Sequence, residues 1–295
     1  MKKFTYLIAA SLFLFSCDDS EEAQNEIEEK KQVDIDLDEE EESEINEIVF
    51  MIPSPQDQYD KLEMIGGEVN TSLVLDLEKV ENFTTVEEKA MAFGIYSADA
   101  AYMMRFEQGK NVFMNYLSTL DRLAEDLGLS QLYDDELMEE VEEAGDDPYE
   151  LFEISGDNYM QVYNSMIEND KGVELSLIIA SSWIQEMYVL FETCGEFEGD
   201  LLVQEMIHDE QLVLENIKTF ISDYTDNNAV ATMLEYLTRV SDDYEAMDCT
   251  TTEIEVQKEE GKQTLFGGSS CVFTEDGYYA MKETVNEIRS SIIKK

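Results

Sequence analysis

Apolar residues recur at three- and four-residue intervals through most of this chain, and that period predicts helices. Ser54-Pro55 reads as a helix start, with Gly66-Gly67 as its end. Thr85-x-x-Glu88 is a capping box. It opens a helix to about Gln108 that carries Phe93, Tyr96, Ala100 and Met103 on one face. Phe113, Tyr116, Leu117, Leu120, Leu123, Ala124 and Leu127 form the clearest stripe, stopped by Gly128. Short and long helices follow over Asp134–Glu143 and from Asp147-Pro148 to about Asn169.

The segment Val173–Cys194 is apolar around most of its girth, with Leu175, Ile178, Trp183, Met187 and Leu190. It is expected to be the central buried helix. Glu174, Gln185 and Glu186 argue against a membrane span. Helices over Leu201–Ile221 and Asn228–Met247 come next. The period then changes to two. Ile254 and Val256 alternate with Glu253 and Glu255, and Gly261 precedes a return run Gln263–Phe266. A β-hairpin is expected over about 250–266, then a final helix over 275–293 capped by Thr274. The expected fold is mainly α: a bundle of about seven to nine helices with one small C-terminal hairpin.

The N-terminus has another character. Lys2 and Lys3 precede an apolar run from Phe4 to Phe15, too short to span roughly 30 Å of hydrocarbon as a helix. Leu14-Phe15-Ser16-Cys17 resembles the lipobox of bacterial lipoproteins. The resemblance implies cleavage after Ser16, a thioether lipid on Cys17 and an acylated new amino terminus. Each buried CH2 contributes about 0.8 kcal/mol, so two chains suffice for anchoring. Phe15 departs from the smaller residue usual there.

Asp18-Asp19-Ser20-Glu21-Glu22 begins an acidic run that continues to Glu47. Its charge and lack of aromatics predict a disordered tether. The expected organisation is a signal peptide at 1–16, a lipidated tether at 17–49 and one helical domain at 50–295. An acidic run directly after the lipidated cysteine resembles a surface-export signal of Bacteroidota lipoproteins. It implies the outer face of the outer membrane, with the periplasmic face as the alternative. Asp34-x-Asp36-x-Asp38 lacks the glycine and the bidentate glutamate of an EF-hand, since Glu39 and Ile45 stand there.

Lys and Arg number 19 against 69 Asp and Glu, a formal net charge of −50. Such a field repels nucleic acid and anionic lipid, so neither is an expected partner. His208 is the single histidine. Glu205-x-x-His208 is half of a di-iron motif whose second half has no histidine to supply it. No nucleophile elbow, phosphate loop or dinucleotide fingerprint occurs, so no catalytic residue, metal or cofactor is expected. Cys194, Cys249 and Cys271 remain once Cys17 is lipidated. Cys249–Cys271 would staple the hairpin, and Cys194–Cys249 is the alternative. Tyr96, Tyr102, Trp183 and Tyr188 are candidates for an inter-helix ligand pocket, against the plainer reading as core.

Four stretches look like landmarks of an uncharacterised family of helical Bacteroidota lipoproteins. They are Ile52–Pro55, Gly94-Ile95-Tyr96-Ser97-Ala98-Asp99-Ala100-Ala101-Tyr102, Leu123–Leu129 and Ser182-Trp183-Ile184-Gln185-Glu186-Met187-Tyr188. The resemblance covers about residues 50–295 and implies an all-helical body and a lipid anchor, with no activity attached. The expected role is a non-enzymatic binding module at the outer membrane, held by its lipid and meeting an envelope protein partner. A small-ligand receptor and a hydrolase using carboxylates alone are the alternatives. The sequence leaves the oligomeric state open.

Overall fold

In the computed structural model the chain divides into two units, Met1–Ser43 and Glu44–Lys295. The structure describes residues 55–64, 69–106, 109–197, 199, 201–245, 248–259 and 262–293, with the backbone alone over the two segments 248–259 and 262–272. All belong to the second unit. The expected signal peptide, Cys17 and the tether lie outside the described residues.

The second unit is mainly helical. Its helices are α1 (Pro55–Met64), α2 (Val86–Arg105), α3 (Lys110–Leu127), α4 (Asp135–Ala144), α5 (Pro148–Glu168), α6 (Gly172–Cys194), α7 (Leu201–Ser222), α8 (Asn228–Glu245) and α9 (Glu275–Ile293). The caps follow from local chemistry. Thr85 and Glu88 form the reciprocal box at α2. Asp147 accepts from the amides of Tyr149 and Glu150 ahead of Pro148. Gly128 ends α3 at φ 71°, a left-handed conformation that costs glycine nothing.

Helix α6 is buried along nearly its whole length, including Ser176, Ser181, Gln185 and Glu186. Among the described residues it is the one helix long and apolar enough to cross a membrane, and 83% of its apolar window is buried inside the protein. Helix α2 packs closely against it. The approach is set at Gly94, where a Cβ would stand 2.2 Å from the Ile178 carbonyl oxygen and 2.4 Å from Ser181 Oγ. Helices α7, α8 and α9 pack around α6, as do α1, α2 and α5. Apolar side chains from all nine described helices form one continuous core.

Helix α2 stops at Arg105, short of the expected Gln108. A 3-10 turn at Leu77–Asn82 has no counterpart in the reading. Val80 is its one buried residue, so no apolar period marks it. Between α8 and α9 the backbone runs through Asp248–Glu259 and Lys262–Val272 as antiparallel segments, with Cys249 opposite Cys271 and an irregularity between Thr252 and Glu255.

Candidate functional site

A buried polar layer crosses the bundle. Asp99 on α2, Gln185 on α6 and Arg289 on α9 meet beneath the segment Leu73–Leu75. Each interrupts an apolar face, so helix packing carries each of them inside. Arg289 Nε donates to Gln185 Oε1, and Gln185 Nε2 donates to Asp99 Oδ1 at 2.6 Å. The Leu75 amide donates to Asp99 Oδ2 at 2.8 Å. Gln185 Nε2 and Arg289 Nη2 both reach the Leu73 carbonyl, at 3.2 and 3.0 Å. The guanidinium lies over the Tyr188 ring, 3.9 Å from its centroid.

Hydrogen bonds in this layer run one way, from cation through amide to carboxyl. The two ends fix the orientation of the Gln185 amide, since a flipped amide would set donor against donor at Arg289. Among the described residues Arg289 forms no direct ion pair, so its charge is answered by Asp99 through Gln185. Burial raises the Asp99 carboxyl to about 7, outweighing the lowering pull of the Leu75 amide, Arg289 and Gln185. Raised carboxyls also serve as catalytic acids. Asp99, however, is fully buried and both of its oxygens accept from protein donors. The layer joins three helices and a loop, and that is work of cohesion.

Two other buried carboxylates are held by protein donors. Trp183 Nε1 donates to Glu210 Oε2 at 3.0 Å, and Ser182 Oγ donates to Glu186 Oε1 at 2.8 Å. The aromatics named for a ligand pocket are accounted for similarly. Tyr96, Tyr102 and Trp183 are core side chains. Tyr96 donates to the Asp76 carbonyl at 2.9 Å, and the Tyr102 hydroxyl accepts from the Asn70 amide at 2.8 Å. Tyr188 is partly buried under Arg289. The four are distributed over α2 and α6 as packing and polar anchors. His208 lines a shallow groove of about 510 Å3 with Asp209, Gln211, Leu212 and Glu215. Among the described residues no three His, Cys, Asp or Glu side chains gather as metal ligands. Cys194 is partly buried against the core, and the side chains of Cys249 and Cys271 lie outside the described residues.

The outer surface offers a different feature. Between α4 and α5 lies an open groove of about 470 Å3 lined by Glu140, Glu143, Ala144, Tyr149, Glu150, Glu153 and Ile154. Tyr149 stands at its edge with 68% of its surface exposed, more than any other large apolar side chain described. Asp147 caps α5 and Pro148 opens it, so Tyr149 lies in the first turn of the helix. In the sequence one acidic stretch looks like another until helices set its neighbours.

No family model matches the chain, and neither a curated protein nor a solved structure does.

Proposed function

We propose that this chain is a lipid-anchored cell-envelope protein whose helical body is a non-enzymatic binding module. The lipid is carried on Cys17, the acidic segment after it spaces the body from the outer membrane, and the surface-exposed face is the working one. The observation that carries the binding reading is the Tyr149 groove. An exposed ring over an apolar floor, rimmed by four glutamates, suits a protein segment that sets Lys or Arg beside an apolar residue. The interior supports the same reading from the other side, because Asp99, Glu186 and Glu210 all engage protein donors.

A finer element belongs to this proposal. Residues 250–266 act as a two-stranded arm closed by a Cys249–Cys271 disulfide. The support is the backbone register, which pairs these two positions.

A photoreactive phenylalanine analogue at position 149 of the full-length chain tests the binding reading in cells. The expected outcome is a specific adduct with a basic envelope protein. The same analogue at the exposed Leu212 position should give none. Cys17→Ser should move the chain out of the membrane fraction and remove the adduct. Equal labelling from 149 and 212, or no adduct at 149, sinks the binding reading. A membrane-bound Cys17→Ser variant sinks the anchor.

A further inference from the structure

Helix α1 is seated on α2, α5 and α6 with two kinds of contact. Some are well made. Tyr59 and Leu62 are fully buried, and the Tyr59 ring meets Tyr102 at 5.5 Å between centroids. Gln56 Nε2 donates to the Phe152 carbonyl at 2.5 Å, and its side chain fills the notch over Gly156, where a Cβ would fall 1.9 Å from Gln56 Oε1. Asp60 pairs with Arg105 at 2.7 Å.

Other contacts are poor. Among the described residues, Gln58 Oε1 and Tyr59 OH are buried and have no hydrogen-bond partner. Gln58 Nε2 finds only the Met187 sulfur, at 3.8 Å, a weak acceptor. Both orphan oxygens belong to adjacent residues on one short helix. They face the interior, where Glu186 and Asp99 act on the Tyr59 hydroxyl electrostatically and burial holds it protonated. Water would satisfy both oxygens if α1 lifted away. Buried unpaired polar groups of this kind are found where a structure stores strain.

We propose that α1 is a latch: a helix that detaches from α2, α5 and α6 while the rest of the bundle stays folded. Its apolar and notch contacts close it, and the unpaired oxygens of Gln58 and Tyr59 weaken the closure. Opening uncovers Tyr102, Met187 and the Gly156 notch. The latch stands first among the described helices.

Hydrogen exchange of the full-length chain, followed by mass spectrometry, tests this. Amides of α1 are expected to exchange at least about tenfold faster than those of α2 and α6, the sign of opening below the global limit. Tyr59→Phe removes one orphan hydroxyl and should slow α1 exchange by at least about fivefold, leaving α6 unchanged. Gln58→Met should act in the same direction. Exchange of α1 at the α6 rate would overturn the latch. So would Tyr59→Phe and Gln58→Met variants whose α1 exchange is unchanged or faster, because the oxygens would then be satisfied in the closed state.

Discussion

The side-chain amide of Gln185 donates to the Asp99 carboxyl at 2.6 Å, deep in the bundle and 86 residues apart in sequence. The same amide accepts from Arg289 on the last helix. One neutral group thereby connects a buried cation to a buried carboxyl. It joins α2, α6 and α9 through a single side chain.

This relation gives stability a pH dependence of defined sign. Asp99 titrates near 7 in the fold, against an ordinary value of 3.8. The folded chain therefore holds more protons between those values, so the contribution is complete below about 4 and is lost as pH rises through about 7. A shift of about three units corresponds to something on the order of 4 kcal/mol. Asp99→Asn removes the titration. Urea unfolding of both proteins at about pH 4 and about pH 7 should show wild type losing stability relative to the variant by that order. A difference that stays flat with pH would mean that Asp99 ionises normally.

Arg289 is predicted to be costly to lose. Arg289→Leu leaves Gln185 Oε1 without its Arg289 donor, takes one of two donors from the Leu73 carbonyl and removes the cation answering Asp99 in this layer. The expected cost is about 3–5 kcal/mol. Adding Asp99→Leu should recover part of it, so that the double variant loses less than the two single losses combined. Strict additivity in thermal or urea unfolding would show that the two groups do not communicate through Gln185.

At Gly94 helix α2 comes close to the backbone of α6. Gly94→Ala would drive a methyl to 2.2 Å from the Ile178 carbonyl oxygen, a backbone atom that cannot rotate aside. A loss of about 3 kcal/mol is expected from the shift in urea midpoint, with an unchanged slope. A loss below about 0.5 kcal/mol would show that α2 and α6 separate freely.

Much of this architecture was legible in the chain. Caps and stripes placed α2 through α9 because the signals are local: Thr85 with Glu88, Asp147 before Pro148, Gly128 after Leu127. The polar layer was not legible. Asp99 lies inside Gly94–Tyr102 and Gln185 inside Ser182–Tyr188, so both sat within stretches that already stood out. Their partnership depends on a loop, Leu73–Leu75, with no periodic signal, and on Arg289 at the other end of the chain. A polar residue inside an apolar stripe was the available clue, and it was used only to argue against a membrane span. The Tyr149 groove was hidden differently. Among 69 acidic residues, Glu140, Glu143, Glu150 and Glu153 become a set only when α4 and α5 fold side by side.

The proposed arm makes a covalent prediction. Proteolysis without reductant should release one peptide pair joining Cys249 to Cys271. A Cys194–Cys249 product in its place would contradict the register.

The most direct test of the binding reading is an affinity measurement on the full-length chain. A fluorescent peptide of alternating lysine and leucine is titrated into wild type, into a Tyr149→Ser/Glu150→Gln/Glu153→Gln variant, and into a Glu235→Gln/Glu245→Gln control on the exposed face of α8. The groove variant should bind at least about tenfold more weakly, a difference of about 1.4 kcal/mol, while the control stays within about twofold of wild type. Equal weakening in the two variants would mean that the bulk charge of −50, and not the groove, holds the peptide.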